Sequence, residues 1–142
     1  TGIYANDNIS EAHKAICQQL MQSGGKVVWV ETEDELNQVI ALAGSSPAYF
    51  FLFIESMIET GVSMGMDEAK ARALAEQAAL GAAQMVIQNQ DLSLAQLRNN
   101  VTSKGGTTAQ AIATFEQGGL RGLVDKAMSN CVAKAEEMAK TF

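Results

Sequence analysis

The sequence predicts a mainly α fold, a helical bundle expected to interlock as a dimer and preceded by a short strand–helix–strand unit. Three observations carry this. Residues 1–31 alternate strand, helix and strand patterns, whereas from Thr32 onward every apolar segment has helical spacing and a helix-start signal. The 142 residues are 47% apolar and only 18% charged, against about 25% charged in an ordinary soluble domain. With the 12 glycines counted in, the apolar share rises above the usual ~45–50%. A domain this small cannot hide so much apolar surface internally, and a second copy is the simplest cover.

The elements follow in order. Gly2-Ile3-Tyr4-Ala5 is a short strand ended by Asn6-Asp7-Asn8, and Ser10 to Gln22 is a helix with Ile9, Ala12, Ile16 and Leu20 on one face. Ser23-Gly24-Gly25 stops it, and the β-branched and aromatic Lys26-Val27-Val28-Trp29-Val30 is the second strand. Two strands make no stable sheet alone, so residues 1–31 read as the end of a larger α/β domain. Thr32 with Glu35 is a capping box opening a helix to about Ala43. Gly44-Ser45-Ser46-Pro47 breaks that helix; Ser46 as cap and Pro47 at the first helical position start the next, to about Ser63. This helix is apolar on every side and belongs inside an assembly. Gly61-x-x-x-Gly65 reads as its termination.

Asp67 caps a helix to about Asn89, with Ala71, Leu74, Ala75, Ala78, Ala82 and Met85 spaced for tight helix packing. Ser93 with Gln96 caps a short helix leading into Val101-Thr102-Ser103-Lys104-Gly105-Gly106-Thr107-Thr108. Thr107 with Gln110 reads as a capping box for the helix that follows from Ala109 to Gln117. After Gly118-Gly119 the last helix carries Leu120, Leu123, Val124, Ala127, Met128, Cys131, Ala135 and Met138 as a core or dimer seam.

Several function classes are excluded. A net charge of −6 argues against nucleic acid as a partner. The longest uninterrupted apolar run, Ala48 to Ile54, is too short to cross a bilayer, so no membrane association is expected. The sequence begins without the basic-then-apolar order of a secretory signal. Cys17 and Cys131 stand far apart with no C-x-x-C, as expected of reduced thiols in the cytoplasm. No metal site is expected, because no Cys/His ligand spacing occurs, and there is neither G-x-G-x-x-G nor a Walker A motif. His13 lies on the polar flank of its helix with no catalytic partner pattern and reads as a solvated surface residue.

The 101–108 stretch is the one place with chemistry. A glycine-rich turn feeding a helix start leaves backbone N–H groups unpartnered at the positive end of the helix dipole, which suits a carboxylate or phosphate. Gly105 and Gly106 allow positive φ and close approach, and Ser103, Thr107 and Thr108 add hydroxyl donors. The plainer reading, a helix–helix turn with a threonine cap, explains the same spacing, and the residues alone leave both open.

Four segments together narrow the choice: Ala43-Gly44-Ser45-Ser46-Pro47-Ala48-Tyr49, Leu80-Gly81-Ala82-Ala83-Gln84-Met85, Gln96 through Thr108, and Glu116-Gln117-Gly118-Gly119-Leu120-Arg121. In this order and spacing they closely resemble the C-terminal half of pyrroline-5-carboxylate reductases, and the resemblance spans essentially the whole chain. It implies an NADPH- or NADH-dependent reduction of 1-pyrroline-5-carboxylate to L-proline, with the main dinucleotide-binding half outside this sequence. Residues 1–31 would be the last strand–helix–strand of the cofactor domain, and 32–142 an all-helical dimerisation and substrate domain. The resemblance also implies a homodimer, with dimers assembling further into a ring, and substrate at the dimer interface. Its carboxylate would sit on Ser103, Gly105, Gly106 and Thr107, and Thr108 would bond the ring nitrogen as the catalytic hydroxyl. Ser45, Ser46 and Pro47 would lie near the nicotinamide. There are two departures: Ala43-Gly44-Ser45-Ser46-Pro47-Ala48 replaces the usual Ser-Gly-Ser-Gly-Pro-Ala, and Ser103-Lys104-Gly105-Gly106 replaces Ser-Pro-Gly-Gly. Lys104 either strengthens carboxylate attraction or is a solvated loop lysine. The competing expectation is a non-catalytic helical dimerisation module in which 101–108 is only a turn.

Overall fold

Two extended segments at the start of the chain hydrogen-bond as parallel partners, the arrangement that a strand–helix–strand run forces when its helix crosses over. In the computed structural model, which describes residues 1–141, β1 (Gly2–Ile3) pairs with β2 (Val28–Trp29), Gly2 opposite Val28 and Ile3 opposite Trp29. Both strands are shorter than the sequence pattern, because the ladder closes only at Val28 N to Thr1 O and Val30 N to Ile3 O, 2.9 Å each. Between them α1 (Glu11–Gln22) starts on the Ser10 side chain, which accepts from His13 N, and ends at Ser23, with Gly25 at φ +136°. Trp29 Nε1 donates to Gln18 Oε1 at 2.8 Å and ties β2 to α1. His13 is solvent-exposed.

The next start signal is made, one residue out of register. Thr32 Oγ1 accepts from Glu35 N at 3.4 Å, but the Glu35 carboxylate reaches back to Glu31 N at 3.1 Å. α2 therefore spans only Glu35–Val39. A Cβ at Gly2 would fall 2.6 Å from Val39 Cγ1, so β1 and α2 pack at a distance only glycine permits.

The expected break at Gly44–Pro47 is not a break. Ile40–Gly44 forms a π-helical turn, Ser45 N donates to Ile40 O at 2.8 Å, and α3 (Ser46–Ser63) follows at once. Proline 47 has no N–H for the Ala43 carbonyl and its ring would collide with it in a regular helix; the widened turn relieves that collision without leaving helical conformation. No side-chain cap at Ser46 is needed. The stretch Glu35–Ser63 is thereby long and apolar enough, by length and composition, to cross a membrane. The uninterrupted-run criterion missed this because Ser45, Ser46 and Glu55 divide the stretch without changing its average character.

α3 ends in a Schellman arrangement: Met66 N bonds Gly61 O, Gly65 N bonds Val62 O, and Gly65 sits at φ +96°. α4 (Glu68–Gln88) starts on Asp67, whose side chain accepts from Lys70 N. A Cβ at Gly61 would stand 3.4 Å from Ala71 Cβ, so the Ala71 methyl packs over the bare Gly61 backbone there. α5 (Leu94–Asn100) carries a complete Ser93/Gln96 capping box. α6 is Thr107–Gln117 and α7 is Leu120–Ala139.

Chain contacts group these elements into two units, Thr1–Pro47 with the chain from Val124 onward, and Ala48–Leu123. Among the described residues only Ala41, in the first unit, and Ala71, Ala75 and Leu97, in the second, are buried apolar residues. On α3, Phe50, Phe51 and Leu52 are 67%, 68% and 63% exposed. The chain leaves 11150 Å² accessible, where a compact monomer of 15.1 kDa would leave about 7,100 Å². The apolar excess read from composition thus stays on the surface of the single chain.

Candidate functional site

The loop between α5 and α6 is built by its own backbone. Val101 N and Thr102 Oγ1 both donate to Arg98 O, at 3.3 and 2.6 Å, and Thr102 N donates to Asn99 O, so the chain leaves α5 in a fixed direction. Ser103 to Gly106 then forms a β-turn closed by Gly106 N to Ser103 O at 3.0 Å. Its third residue, Gly105, is at φ +73°, a conformation that favours glycine. Lys104 occupies the second position, where proline is favoured but most residues are accepted. The replacement of the usual proline therefore changes the charge and stiffness of the turn, not its path. Gly106 does not take positive φ; it is extended at φ −81°, ψ 172°, and a Cβ there would come 3.2 Å from Ser103 O. Gly105→Ala is expected to lose about 1–2 kcal/mol by backbone strain alone, since nothing stands within 4 Å of the added methyl. Thermal unfolding checks this; an unchanged Tm would contradict the assigned conformation.

The Thr107/Gln110 capping box is not made. α6 begins two residues earlier than the pattern, Gly106 is the cap residue, and no side chain caps the helix. Its carbonyl accepts Gln110 N at 3.2 Å. With Thr107 inside the first turn, its hydroxyl is turned away from the cap, and the amides of Thr107, Thr108 and Ala109 have no acceptor among the described residues. The same holds for the amides of Ser103, Lys104 and Gly105 and the hydroxyls of Ser103, Thr107 and Thr108. Ser103, Gly105, Thr107 and Thr108 are exposed and Gly106 is half-buried. Five candidate residues are thus gathered in one turn, with donors open at the positive end of an 11-residue helix.

Sequence reading did not assign roles to the charged groups flanking this loop. Glu116, in the last turn of α6, takes both nitrogens of an Arg121 fork: Nε to Oε2 at 2.9 Å and Nη2 to Oε1 at 2.8 Å. Arg98 Nη1 stands 3.6 Å from the same Oε1. The hydrogen-bonded Arg121 guanidinium holds Glu116 below the usual carboxylate range, against an opposing push from desolvation, and Glu116 in turn raises Arg121. The signal was Glu116 and Arg121 five apart across Gly118-Gly119: Gly119 at φ +76° turns the chain so that the two helices meet. Phe115, beside Glu116, packs on Phe53 with ring centroids 5.8 Å apart.

Ser45, Ser46 and Pro47 belong to the first unit. Ser45 and Ser46 are half-buried and Pro47 is exposed. Ser45 sits at the end of the π turn with its amide used, and its hydroxyl accepts from Cys131 Sγ at 3.4 Å. That bond leaves the Ser45 hydroxyl proton available, and Ser46 Oγ has no partner among the described residues, so both can donate to a polar ligand. Two hydroxyls are thus available at this turn, enough to donate to a carboxamide or sugar hydroxyl but not specific to one ligand.

Residues 33–138 match the family described as pyrroline-5-carboxylate reductase dimerisation. The chain is 52% identical over its whole length to the pyrroline-5-carboxylate reductase of Vibrio alginolyticus, of which it covers 52%. The solved pyrroline-5-carboxylate reductase of Coxiella burnetii superposes on 96% of this chain and 50% of its own with a TM-score of 0.91 at 41% identity. The Plasmodium falciparum pyrroline carboxylate reductase, solved with NADP bound, does so over 96% of this chain and 55% of its own with a TM-score of 0.85 at 28% identity. The mainly α architecture, headed by a parallel strand–helix–strand unit, is that of these solved reductases over the matched half of their length. The chain belongs to the pyrroline-5-carboxylate reductase dimerisation family. It spans about half the length of the curated relatives it matches.

Proposed function

We propose that this chain is the dimerising, substrate-binding half of an enzyme that reduces 1-pyrroline-5-carboxylate to L-proline in the cytoplasm. The observation that carries the reading is the turn at 103–108, which lies inside the family match and leads into a helix start where the amides of Gly105, Thr107 and Thr108 have no acceptor among the described residues. The open amides of Gly105 and Thr107 and the hydroxyls of Ser103 and Thr107 hold the substrate carboxylate, and Gly106, whose amide closes the turn on Ser103 O at 3.0 Å, lets the backbone pass close to Ser103. Thr108 donates its hydroxyl to the ring nitrogen. NADPH or NADH, held mainly by sequence outside this chain, supplies the hydride when bound. Ser45 and Ser46 donate to its nicotinamide end, and Pro47 lies against it. Addition to the carbon of the N-protonated imine moves the C=N π pair onto a nitrogen that already carries its proton, giving the neutral secondary amine, and the Thr108 hydrogen bond strengthens as that pair develops. The protein's contribution is positioning and this one bond, with no side-chain nucleophile involved.

The 11150 Å² of accessible surface and the bare α3 face support a homodimer; the joining of dimers into a ring rests on the family resemblance alone. A second copy covers α3 at far lower cost than a bilayer, which would have to accept Glu55 and Glu59 on the same helix. Residues 1–31 are assigned to the end of the dinucleotide-binding domain and 32–142 to the helical domain. The direct test is to supply the full-length protein with pyrroline-5-carboxylate and NADPH or NADH. Cofactor oxidation with matching proline formation is the expected result. A folded dimer that forms no proline would leave only a helical dimerisation module.

A further inference from the structure

The loop is fixed at its start by Arg98 and continues directly into α6, so the direction in which the Thr107, Thr108 and Ala109 amides point depends on how α6 is held at its other end. That end carries Glu116. One carboxylate there binds three helices: its own α6, the first turn of α7 through the Arg121 fork, and the last turn of α5 through Arg98. Arg98 is doubly engaged, because its backbone carbonyl also receives Thr102 Oγ1 and Val101 N, the two bonds that aim the chain into the turn. The last turn of α5, where the loop starts, and the far end of the helix that the loop feeds are therefore joined through a single side chain.

We propose that Glu116 is the positioning residue of the substrate loop, holding Arg98 and Arg121 so that α5 and α6 present the 103–108 donors in one fixed geometry. The inference rests on the reading of 103–108 as the carboxylate site. A helix is a stiff lever, so a small tilt of α6 about its C-terminal end moves its N-terminal amides by a comparable amount, and sub-ångström misplacement is costly to an oriented site. Glu116 touches neither substrate nor cofactor in this scheme. Its loss weakens binding of the acid and spares the rest.

The test is steady-state kinetics on the full-length protein with Glu116→Gln, which keeps the shape and removes the charge. KM for pyrroline-5-carboxylate is expected to rise about three- to fivefold, the scale of one exposed ion-pair network, with kcat and cofactor KM within about twofold. Arg98→Gln should give the same split, and the double variant should be no worse than the poorer single, since both act through one contact. If Glu116→Gln does not fold, Arg98→Gln, which removes only the 3.6 Å arm, carries the same expectation. An unchanged substrate KM, additive losses, or equal rises in substrate and cofactor KM overturn the proposal. Thr108→Ala in the same assay separates the two failures. If it impairs the enzyme while Glu116→Gln does not, only the positioning role falls; if neither variant matters, the loop reading falls and this role with it.

Discussion

Phe51→Asp in the full-length protein is expected to dissociate the dimer and abolish activity. Phe51 lies on α3, 68% exposed in the single chain, in a groove it shares with Ile54, Ile58, four glutamates and Arg72, which is paired with Glu76 at 2.7 Å. If that face met only water, an aspartate would change stability by no more than about 0.5 kcal/mol. If a second copy covers it, each subunit loses about 1.5–3 kcal/mol of aromatic burial. It must also bury an unpaired charge, since Arg72, the cation of that groove, is already paired with Glu76, at a cost of several kcal/mol more. The two subunits double the loss, which exceeds what a stable dimer has to spare. Sedimentation should show half the wild-type mass, with the monomer poorly folded because so few of its apolar side chains are covered internally. A dimer of unchanged stability would move the interface elsewhere.

The second large effect is Thr108→Ala, expected to lower kcat/KM for pyrroline-5-carboxylate by roughly 10–150-fold, the equivalent of one hydrogen bond of about 1.5–3 kcal/mol to a group gaining charge. The Thr108 hydroxyl makes no hydrogen bond among the described residues and the residue is exposed, so its removal costs the fold almost nothing. The loss should therefore appear in turnover without a change in Tm. Unchanged turnover would remove Thr108 from the mechanism.

What could be read from sequence divides by the range of the physics. Helix identity came through periodicity, and starts came through caps where side chain and amide are neighbours, as at Asp67 and Ser93. Two local readings failed where a competing backbone preference won. At 44–47 a π turn absorbed the Pro47 ring that was read as a helix starter after a break. At 106–108 Gly106, not Thr107, became the cap, since an extended glycine close to Ser103 closes the turn. That second failure left more donors open than the capping box would have. The loop residues themselves were legible because glycine–hydroxyl patterning is local and the family motif is specific. Glu116, Arg98 and Arg121 were present in the same motifs but carried no role, because their meeting depends on where three helices end. The membrane-length character of Glu35–Ser63 was hidden for a related reason, as continuity across Gly44–Pro47 was not expected.

The claim that most depends on geometry is that the 103–108 turn offers its amides to a small acid. The direct measurement is a titration of the full-length protein, labelled at glycine and threonine, with L-proline while amide resonances are followed. Saturable shifts at Gly105, Gly106, Thr107 and Thr108, lost in Thr108→Ala, are the predicted result. Millimolar proline that leaves those four unmoved, or that moves a different set, would contradict it.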